Sequence, residues 1–155
     1  MIRNAQEEDF ELLVDLDANS GHVFYENNPN WKKGIPEWFR GMFDNNNNDF
    51  YIYEENEKIV GAIGLDKDFP VPNSCGIIFL AVLKEEHGKG IGGKLVQFLE
   101  EKAKGSGFER IFLYTSDDNV DAQGFYNKRG YAKINEFPGY YGWGQTAFLY
   151  GKRLK

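Results

Sequence analysis

Apolar residues in the first third of the chain recur at helical spacing. Phe10, Leu13 and Leu16 are spaced for one face of a helix within acidic surroundings. This pattern predicts a helix from about Glu7 to Ala18, after a short strand at Ile2–Asn4. A second helix is predicted to begin near Pro36, because proline suits the first helical turn and an apolar stripe follows it. That stripe consists of Trp38, Phe39, Met42 and Phe43.

Strand patterns follow the asparagine run Asn45–Asn48, which is typical of a connector between two elements. Phe50–Glu54 and Ile59–Asp66 are predicted to pair as a hairpin. The run IIFLAVL after Gly76 is apolar at every position, whereas a half-exposed strand would alternate. This run therefore indicates a strand that is covered on both faces at the centre of the sheet.

The second half of the chain alternates helices and strands. From Ile91 the apolar residues share one helical face, and the GSG sequence at 105–107 ends that helix. The other predicted elements are a strand at Arg110–Tyr114, a helix at Val120–Arg129, and strands at Tyr131–Glu136 and Thr146–Leu154. Together they predict one α/β domain over residues 1–155, with a mixed, largely antiparallel sheet of about seven strands, about four flanking helices and a central βαβ unit.

Composition and charge narrow the functional classes. Lys+Arg 18 against Asp+Glu 24 gives a formal charge of −6, the wrong sign for a surface that neutralises nucleic-acid phosphates or anionic lipid. No apolar run is long enough for a membrane helix, and the acidic N-terminus does not have the pattern of a secretory signal. The single cysteine, Cys75, excludes an internal disulfide and is expected in the core, and two separate histidines predict no metal site. We therefore expect a soluble, cytoplasmic protein.

Residues 87–95 read HGKGIGGKL, a glycine-rich turn that opens a predicted helix. Such a turn presents successive backbone N–H groups together with the positive end of a helix dipole. Lys89 and Lys94 add positive charge within an otherwise acidic chain. The stretch therefore predicts a binding site for a diphosphate.

Two common phosphate-binding patterns fit this stretch only in part. Gly88, Gly90 and Gly93 satisfy the dinucleotide pattern GxGxxG, but too little chain follows for the further βα units of that fold. Gly88, Gly93 and Lys94 satisfy the P-loop pattern GxxxxGK. The next residue is Leu95, however, so the hydroxyl that binds magnesium in a P-loop is missing.

A third pattern extends over two motifs. The segment LAVLKEEHGKGIGGKLVQFL resembles motif A of the GNAT family of N-acetyltransferases, (Q/R)xxGx(G/A), with His87 in the first position and Gly90 and Gly92 as the glycines. Downstream, NVDAQGFYNKRGY at 119–131 resembles motif B of that family. The matching positions there are Asn119, Ala122, Phe125, Tyr126, Gly130 and Tyr131. The order of elements follows the family over nearly the whole chain, and His87 departs from the usual arginine or glutamine.

The resemblance implies a GNAT-like fold with acetyl-CoA as co-substrate. The residues it implies for cofactor binding are Val82, Leu83, His87, Gly88, Lys89, Gly90, Ile91, Gly92, Gly93, Asn119 and Tyr126. The backbone N–H of Val82 or Leu83 is expected to stabilise negative charge on the thioester oxygen. The Tyr126 phenol is expected to donate a proton or hydrogen bond to the departing thiolate, and with an ordinary pKa of about 10 that transfer would be nearly balanced.

The implied reaction is acetyl transfer to a primary amine of a small cationic molecule, a peptide or a protein. Two loops, at 21–31 and 137–145, are expected to form the acceptor side. Their aromatic residues, which suit an alkyl-ammonium by cation–π attraction, are Phe24, Tyr25, Trp31, Tyr140, Tyr141 and Trp143.

The general base is not fixed by the sequence. Some family members have a glutamate early in the central strand, but residues 75–78 include no carboxylate. Glu26 and Glu136 are the candidate side chains for this role, and a chain of water molecules is the alternative. The missing glutamate also leaves open a non-catalytic acyl-CoA binding or regulatory module. Homodimers are common among the relatives, so a homodimer is a further expectation.

Overall fold

The computed structural model describes residues 1–140 and 144–154, apart from the side chain of Phe24. The strands are β1 Ile2–Asn4, β2 Asn48–Glu55, β3 Lys58–Asp66, β4 Ser74–Val82, β5 Arg110–Ser116, β6 Ala132–Phe137 and β7 Ala147–Arg153. They form one sheet in the order β1-β2-β3-β4-β5-β7-β6, in which only β4 and β5 are parallel. The predicted α/β class and the central position of the apolar strand are confirmed.

The α-helices of the described residues are α1 Phe10–Ala18, α2 Val23–Asn27, α3 Ile35–Phe43, α4 Ile91–Gly105 and α5 Val120–Asn127. Four of them match the predicted helices. The short helix α2 is missing from the prediction, because five residues are too few to display a helical period. None of these helices is both long and apolar enough to cross a lipid bilayer.

Helices cover both faces of the sheet. On one face Phe39 of α3 packs against Phe50 of β2 and Phe79 of β4. On the other face α4 lies so close to β3 that a Cβ atom on Gly61 would stand 3.0 Å from the Ile91 side chain. Trp38, predicted in the same apolar stripe as Phe39, is instead 38% exposed.

A β-bulge interrupts β4 at Ile78. Gly64 and Leu65 follow each other on β3, and their partners on β4 are Phe79 and Ile77, which leaves Ile78 as an extra residue. The parallel pairing of β4 with β5 ends at the same place, at Ile77. A bulge bends its strand and increases the local twist. The second half of β4 therefore diverges from β5 and leaves a wedge between the two strands.

Candidate active site

A groove of about 1470 Å³ occupies this wedge, with α1 and α2 at one side and the turn before α4 together with α5 at the other. Most of the residues predicted for cofactor binding line it. Those residues are Val82, His87, Gly88, Gly90, Ile91, Gly92, Gly93, Asn119 and Tyr126. Leu83 and Lys89 are not among the described residues that line the groove.

The glycine-rich turn has the backbone geometry that its sequence predicts. Gly88 and Gly90 have φ angles of +82° and +80°, in the left-handed region that disfavours residues with a Cβ atom. Gly90 is the N-cap of α4, so the N–H groups of Ile91, Gly92 and Gly93 in the first turn have no partner within the helix. These N–H groups and the helix dipole can hold an anion at the floor of the groove.

Two side chains of this turn that are predicted to bind the cofactor, His87 and Lys89, contact other residues of the protein instead. The His87 Nε2 atom lies 2.9 Å from the Val82 carbonyl oxygen, and because a carbonyl only accepts, Nε2 must carry the proton and donate it. Lys89 forms an ion pair with Glu86 at 2.7 Å. The second lysine of this stretch, Lys94, lies over the Tyr53 ring. His87 therefore ties the turn to the end of β4, and the turn's own backbone is left to face a ligand.

Only one of the two candidate amides for the thioester oxygen is available. The N–H of Leu83 donates to the Val60 carbonyl oxygen on β3 at 2.9 Å, so the expectation that includes Leu83 is corrected. Backbone groups of successive strand residues point to opposite sides. The N–H of Val82 therefore points away from β3, towards the wedge where β5 has diverged, as does that of Leu80.

Helix α5 packs against the start of α4 through two close approaches. A Cβ atom on Gly92 would stand 3.2 Å from the Phe125 ring, and one on Gly93 would stand 2.5 Å from the Arg129 guanidinium. Arg129 also stacks over the Phe125 ring, with its Cζ 3.6 Å from the ring centroid. It places a cation beside the free N–H groups of α4. Arg129 lies inside motif B but is not one of the motif positions that predict a cofactor contact.

The two motif B residues predicted for the cofactor occupy opposite ends of α5. The Oδ1 atom of Asn119 accepts the Ala122 N–H at 3.1 Å, so Asn119 caps the helix, and its amide nitrogen remains as a donor for a ligand. Tyr126 is buried between Phe125 and Tyr131 at the groove wall. Burial raises the pKa of Tyr126, because the phenolate is poorly solvated there, while nearby Arg129 lowers it. Tyr126 is therefore a neutral hydrogen-bond donor at the groove wall.

The opposite side of the groove combines aromatic and acidic residues. Trp31, Trp38 and Tyr140 line it and are partly exposed. Tyr25, by contrast, is buried and donates a hydrogen bond to Asp17 Oδ2 at 2.6 Å, so its ring is not a free surface for a cation. Tyr141, Trp143 and the Phe24 side chain, which were predicted for this side, lie outside the described residues.

The two predicted base candidates occupy different places. Glu26 lines the groove and forms an ion pair with Lys84 at 3.5 Å. Glu136 lies on the exposed edge strand β6, paired with Lys133, and is not among the described residues that line the groove. The structure thus brings Glu26, but not Glu136, to the candidate site.

Asp118 connects the loops on this side, a role that no sequence motif indicates. Its carboxylate accepts hydrogen bonds from Gln145 at 2.7 Å, from Ser116 at 2.5 Å and from Asn27 at 3.2 Å. These donors come from the segment before β7, from the end of β5 and from α2. Asp118 therefore holds together the three segments that border the acceptor side.

Comparisons with known proteins agree with this geometry. A family model described as the acetyltransferase (GNAT) family matches residues 6–131. YdhI of Bacillus subtilis, an uncharacterized protein, is 43% identical over 89 residues, which are 57% of this chain but only 52% of YdhI. N-alpha-acetyltransferase 30 of Schizosaccharomyces pombe is 31% identical over 102 residues, 64% of this chain and 68% of that protein.

A solved structure shares the whole fold. The crystal structure of PaiA N-acetyltransferase from Thermoplasma acidophilum in complex with coenzyme A has a TM-score of 0.78 to this chain. The likeness covers 99% of this chain and 98% of that one at 21% sequence identity, which shows the fold alone.

Proposed function

Because this chain belongs to the acetyltransferase (GNAT) family, whose members use acetyl-CoA as co-substrate, we propose that it transfers the acetyl group of acetyl-CoA to a primary amine. One observation carries this proposal: a single groove contains the unpaired N–H groups of the α4 turn, the outward N–H of Val82 and the phenol of Tyr126. These are the groups that a diphosphate, a thioester and a leaving thiolate require.

Coenzyme A would lie along the wedge between β4 and β5. Its diphosphate would accept hydrogen bonds from the first turn of α4, with Arg129 supplying a positive charge beside it. Its pantetheine amides would pair with the edge of β4 that β5 leaves open, as an added strand does. This placement brings the thioester towards Val82 and Tyr126.

The amine nitrogen would attack the thioester carbonyl carbon directly. A C–N bond forms while negative charge develops on the carbonyl oxygen, which the N–H of Val82 stabilises. The C–S bond then breaks, and Tyr126 donates a hydrogen bond to the sulfur, which leaves as the thiolate and takes up the proton that the new amide loses. The products are the N-acetyl amine and coenzyme A.

The acceptor we propose is a cationic amine, of either a small molecule or a peptide. The groove is lined by the aromatic residues Trp31, Trp38 and Tyr140 and by the carboxylates of Asp17 and Glu26, a combination of residue types that suits an alkyl-ammonium. The overall charge of −6 acts in the same direction, since it attracts cations.

Release of coenzyme A thiol from acetyl-CoA, measured with a panel of polyamines, amino acids, aminoglycosides and peptide N-termini, tests the proposal. We expect at least one amine to give turnover above the rate without amine. Binding of acetyl-CoA by calorimetry with no release from any amine would overturn catalysis in favour of the acyl-CoA binding module. Light scattering on the same preparation tests the predicted homodimer.

A further inference from the structure

The structure contains a buried carboxylate on the acceptor side that neither motif includes. Asp17, in the last turn of α1, is only 2% exposed and yet lines the groove. The other carboxylates that line the groove in the described residues are Glu26, Glu86 and Asp121. Glu26 and Glu86 are paired with lysines, and Asp121 is exposed on the first turn of α5. Among the carboxylates that line the groove in the described residues, Asp17 is therefore the one that is shielded from solvent.

From this placement we propose that Asp17 is the general base that takes a proton from the acceptor ammonium, with Tyr25 as the residue that positions its carboxylate. The inference rests on the proposed acetyl transfer. Asp17 takes the role of general base for which Glu26 and Glu136 are the candidates from sequence.

The contacts of Asp17 leave one oxygen for a substrate. Tyr25 donates its hydroxyl hydrogen to Oδ2 at 2.6 Å, which fixes the plane of the carboxylate. Oδ1 accepts no hydrogen bond from the described residues. In the proposed role, an ammonium group in the groove would donate to this oxygen, and a buried ion pair of this kind transfers a proton readily because water does not stabilise the separated charges.

The end of α1 is attached to the end of β4. The N–H of Lys84, two residues past Val82, donates to the carbonyl oxygen of Asn19, two residues past Asp17, at 3.2 Å. A Cβ atom on Gly21 would stand 3.2 Å from the Lys84 side chain, so the two segments also pack closely. The carboxylate of Asp17 and the outward N–H of Val82 therefore belong to the same end of the groove.

The proton transfer balances without any further reactant. The ammonium gives one proton to the Asp17 carboxylate, which becomes a neutral carboxylic acid, and the nitrogen lone pair becomes free to attack the thioester. The second proton is lost from nitrogen as the amide forms, and the thiolate sulfur of coenzyme A takes it up. Asp17 then releases its proton to solvent and is ready for another cycle.

The ionisable groups that act on Asp17 are few. They are Tyr25 of α2 and His22 in the loop before it. The side chains of α3, β3 and β4 that pack on α1 are apolar apart from Arg40 of α3, which lies over the Phe10 ring at the opposite end of α1 from Asp17. Burial raises the pKa of Asp17, whereas the hydrogen bond from Tyr25 and the charge of His22 lower it. The base form is thus gained as pH rises through a pKa that lies above the ordinary value.

The test compares Asp17→Asn and Tyr25→Phe with a matched control, Asp15→Asn, which changes an exposed carboxylate on the same helix. For each variant, kcat and KM for the best amine of the panel are measured across pH, and coenzyme A affinity is measured separately. We expect Asp17→Asn to lower kcat by about 10²-fold, the usual size of a general-base contribution, and to leave the coenzyme A affinity unchanged. The Asp15→Asn variant should keep the wild-type kcat and coenzyme A affinity.

The pH dependence of kcat in Tyr25→Phe distinguishes a catalytic role of Asp17 from a purely structural one. It removes the hydrogen bond that stabilises the charged carboxylate, so the acidic limb of its kcat profile should move to higher pH while activity at the plateau persists. This decides the proposal even if Asp17→Asn does not fold, which loss of its coenzyme A binding would reveal.

Three results would overturn the role of Asp17. They are wild-type kcat in a folded Asp17→Asn variant, an effect confined to the KM of the amine, and an unmoved acidic limb in Tyr25→Phe. Loss of kcat in Glu26→Gln or Glu136→Gln, with Asp17→Asn active, would assign the base elsewhere. A wild-type protein that is inactive with every amine would instead refute the acetyl transfer itself, so the two failures are distinguishable.

Discussion

Arg129 lies directly against Gly93 in the first turn of α4, where a Cβ atom on the glycine would stand 2.5 Å from the arginine Nη2 atom. The guanidinium is held there by its hydrogen bond to the Phe125 carbonyl oxygen at 2.9 Å and by stacking on the Phe125 ring. A fixed cation thus borders N–H groups that have no partner within the helix. This relationship joins the two sequence motifs in one binding surface.

Replacing Arg129 by glutamine should weaken coenzyme A binding. A charge-assisted hydrogen bond contributes roughly 1.5–3 kcal/mol, so we expect the Kd to rise by about 10- to 100-fold. Isothermal titration calorimetry measures this directly, and added salt should weaken the wild type more than the variant. The control is Lys104→Gln, which removes the same charge from the far end of α4. An equal loss in both variants would show a general charge effect and contradict a local contact.

Gly90→Ala should destabilise the protein and impair the diphosphate site together. An L-residue at a φ of +80° costs about 1–2 kcal/mol, which corresponds to a fall in Tm of about 2–8 °C in a chain of this size. Calorimetry with and without coenzyme A should show both losses. Gly41→Ala is the matched control. A Cβ atom on Gly41, which lies within α3, would meet open space, so this substitution should stabilise the protein by up to about 1 kcal/mol.

Tyr126→Phe should slow turnover and leave the cofactor bound. The variant keeps the ring that packs against Phe125 and Tyr131 but lacks the hydrogen bond to sulfur, so we expect kcat to fall by about 10²-fold. Calorimetry should give a coenzyme A Kd within about twofold of the wild type.

The pH profile of the wild type offers a second check on Tyr126. Because burial raises the pKa of its phenol above the ordinary value, the donor form persists as pH rises, and kcat should show no basic limb from this group up to about pH 10. A basic limb below that pH that disappears in Tyr126→Phe would contradict the assignment.

Cys75 should resist thiol reagents until the protein unfolds. Its side chain is fully buried, and burial raises the pKa of the thiol to about 12 from an ordinary 9.0. The folded state therefore holds its proton more tightly, so stability from this group is full below pH 9 and is lost between pH 9 and about 12. Ellman's reagent at pH 8 should react only at denaturant concentrations that unfold the chain, and rapid native labelling would contradict this burial.

Much of the fold follows from local pattern. The hairpin of β2 and β3 and helices α1 and α4 are each encoded in a few consecutive residues, so periodicity and turn residues were enough to predict them. Helix α2 shows the limit of this approach. It is short, and it is held by the hydrogen bond from Tyr25 to Asp17 and by that from Asn27 to Asp118, which join residues on different elements.

The candidate active site likewise has one part that local sequence determines and another part that depends on tertiary structure. The chain alone determined the diphosphate turn, because the left-handed geometry of Gly88 and Gly90 and the free N–H groups after them are properties of consecutive residues. Tertiary structure decided the rest: the bulge at Ile78 opens the groove, and α2 buries Asp17 beside it. Burial and pKa depend on groups far away in sequence, and so they become visible only once the chain has folded.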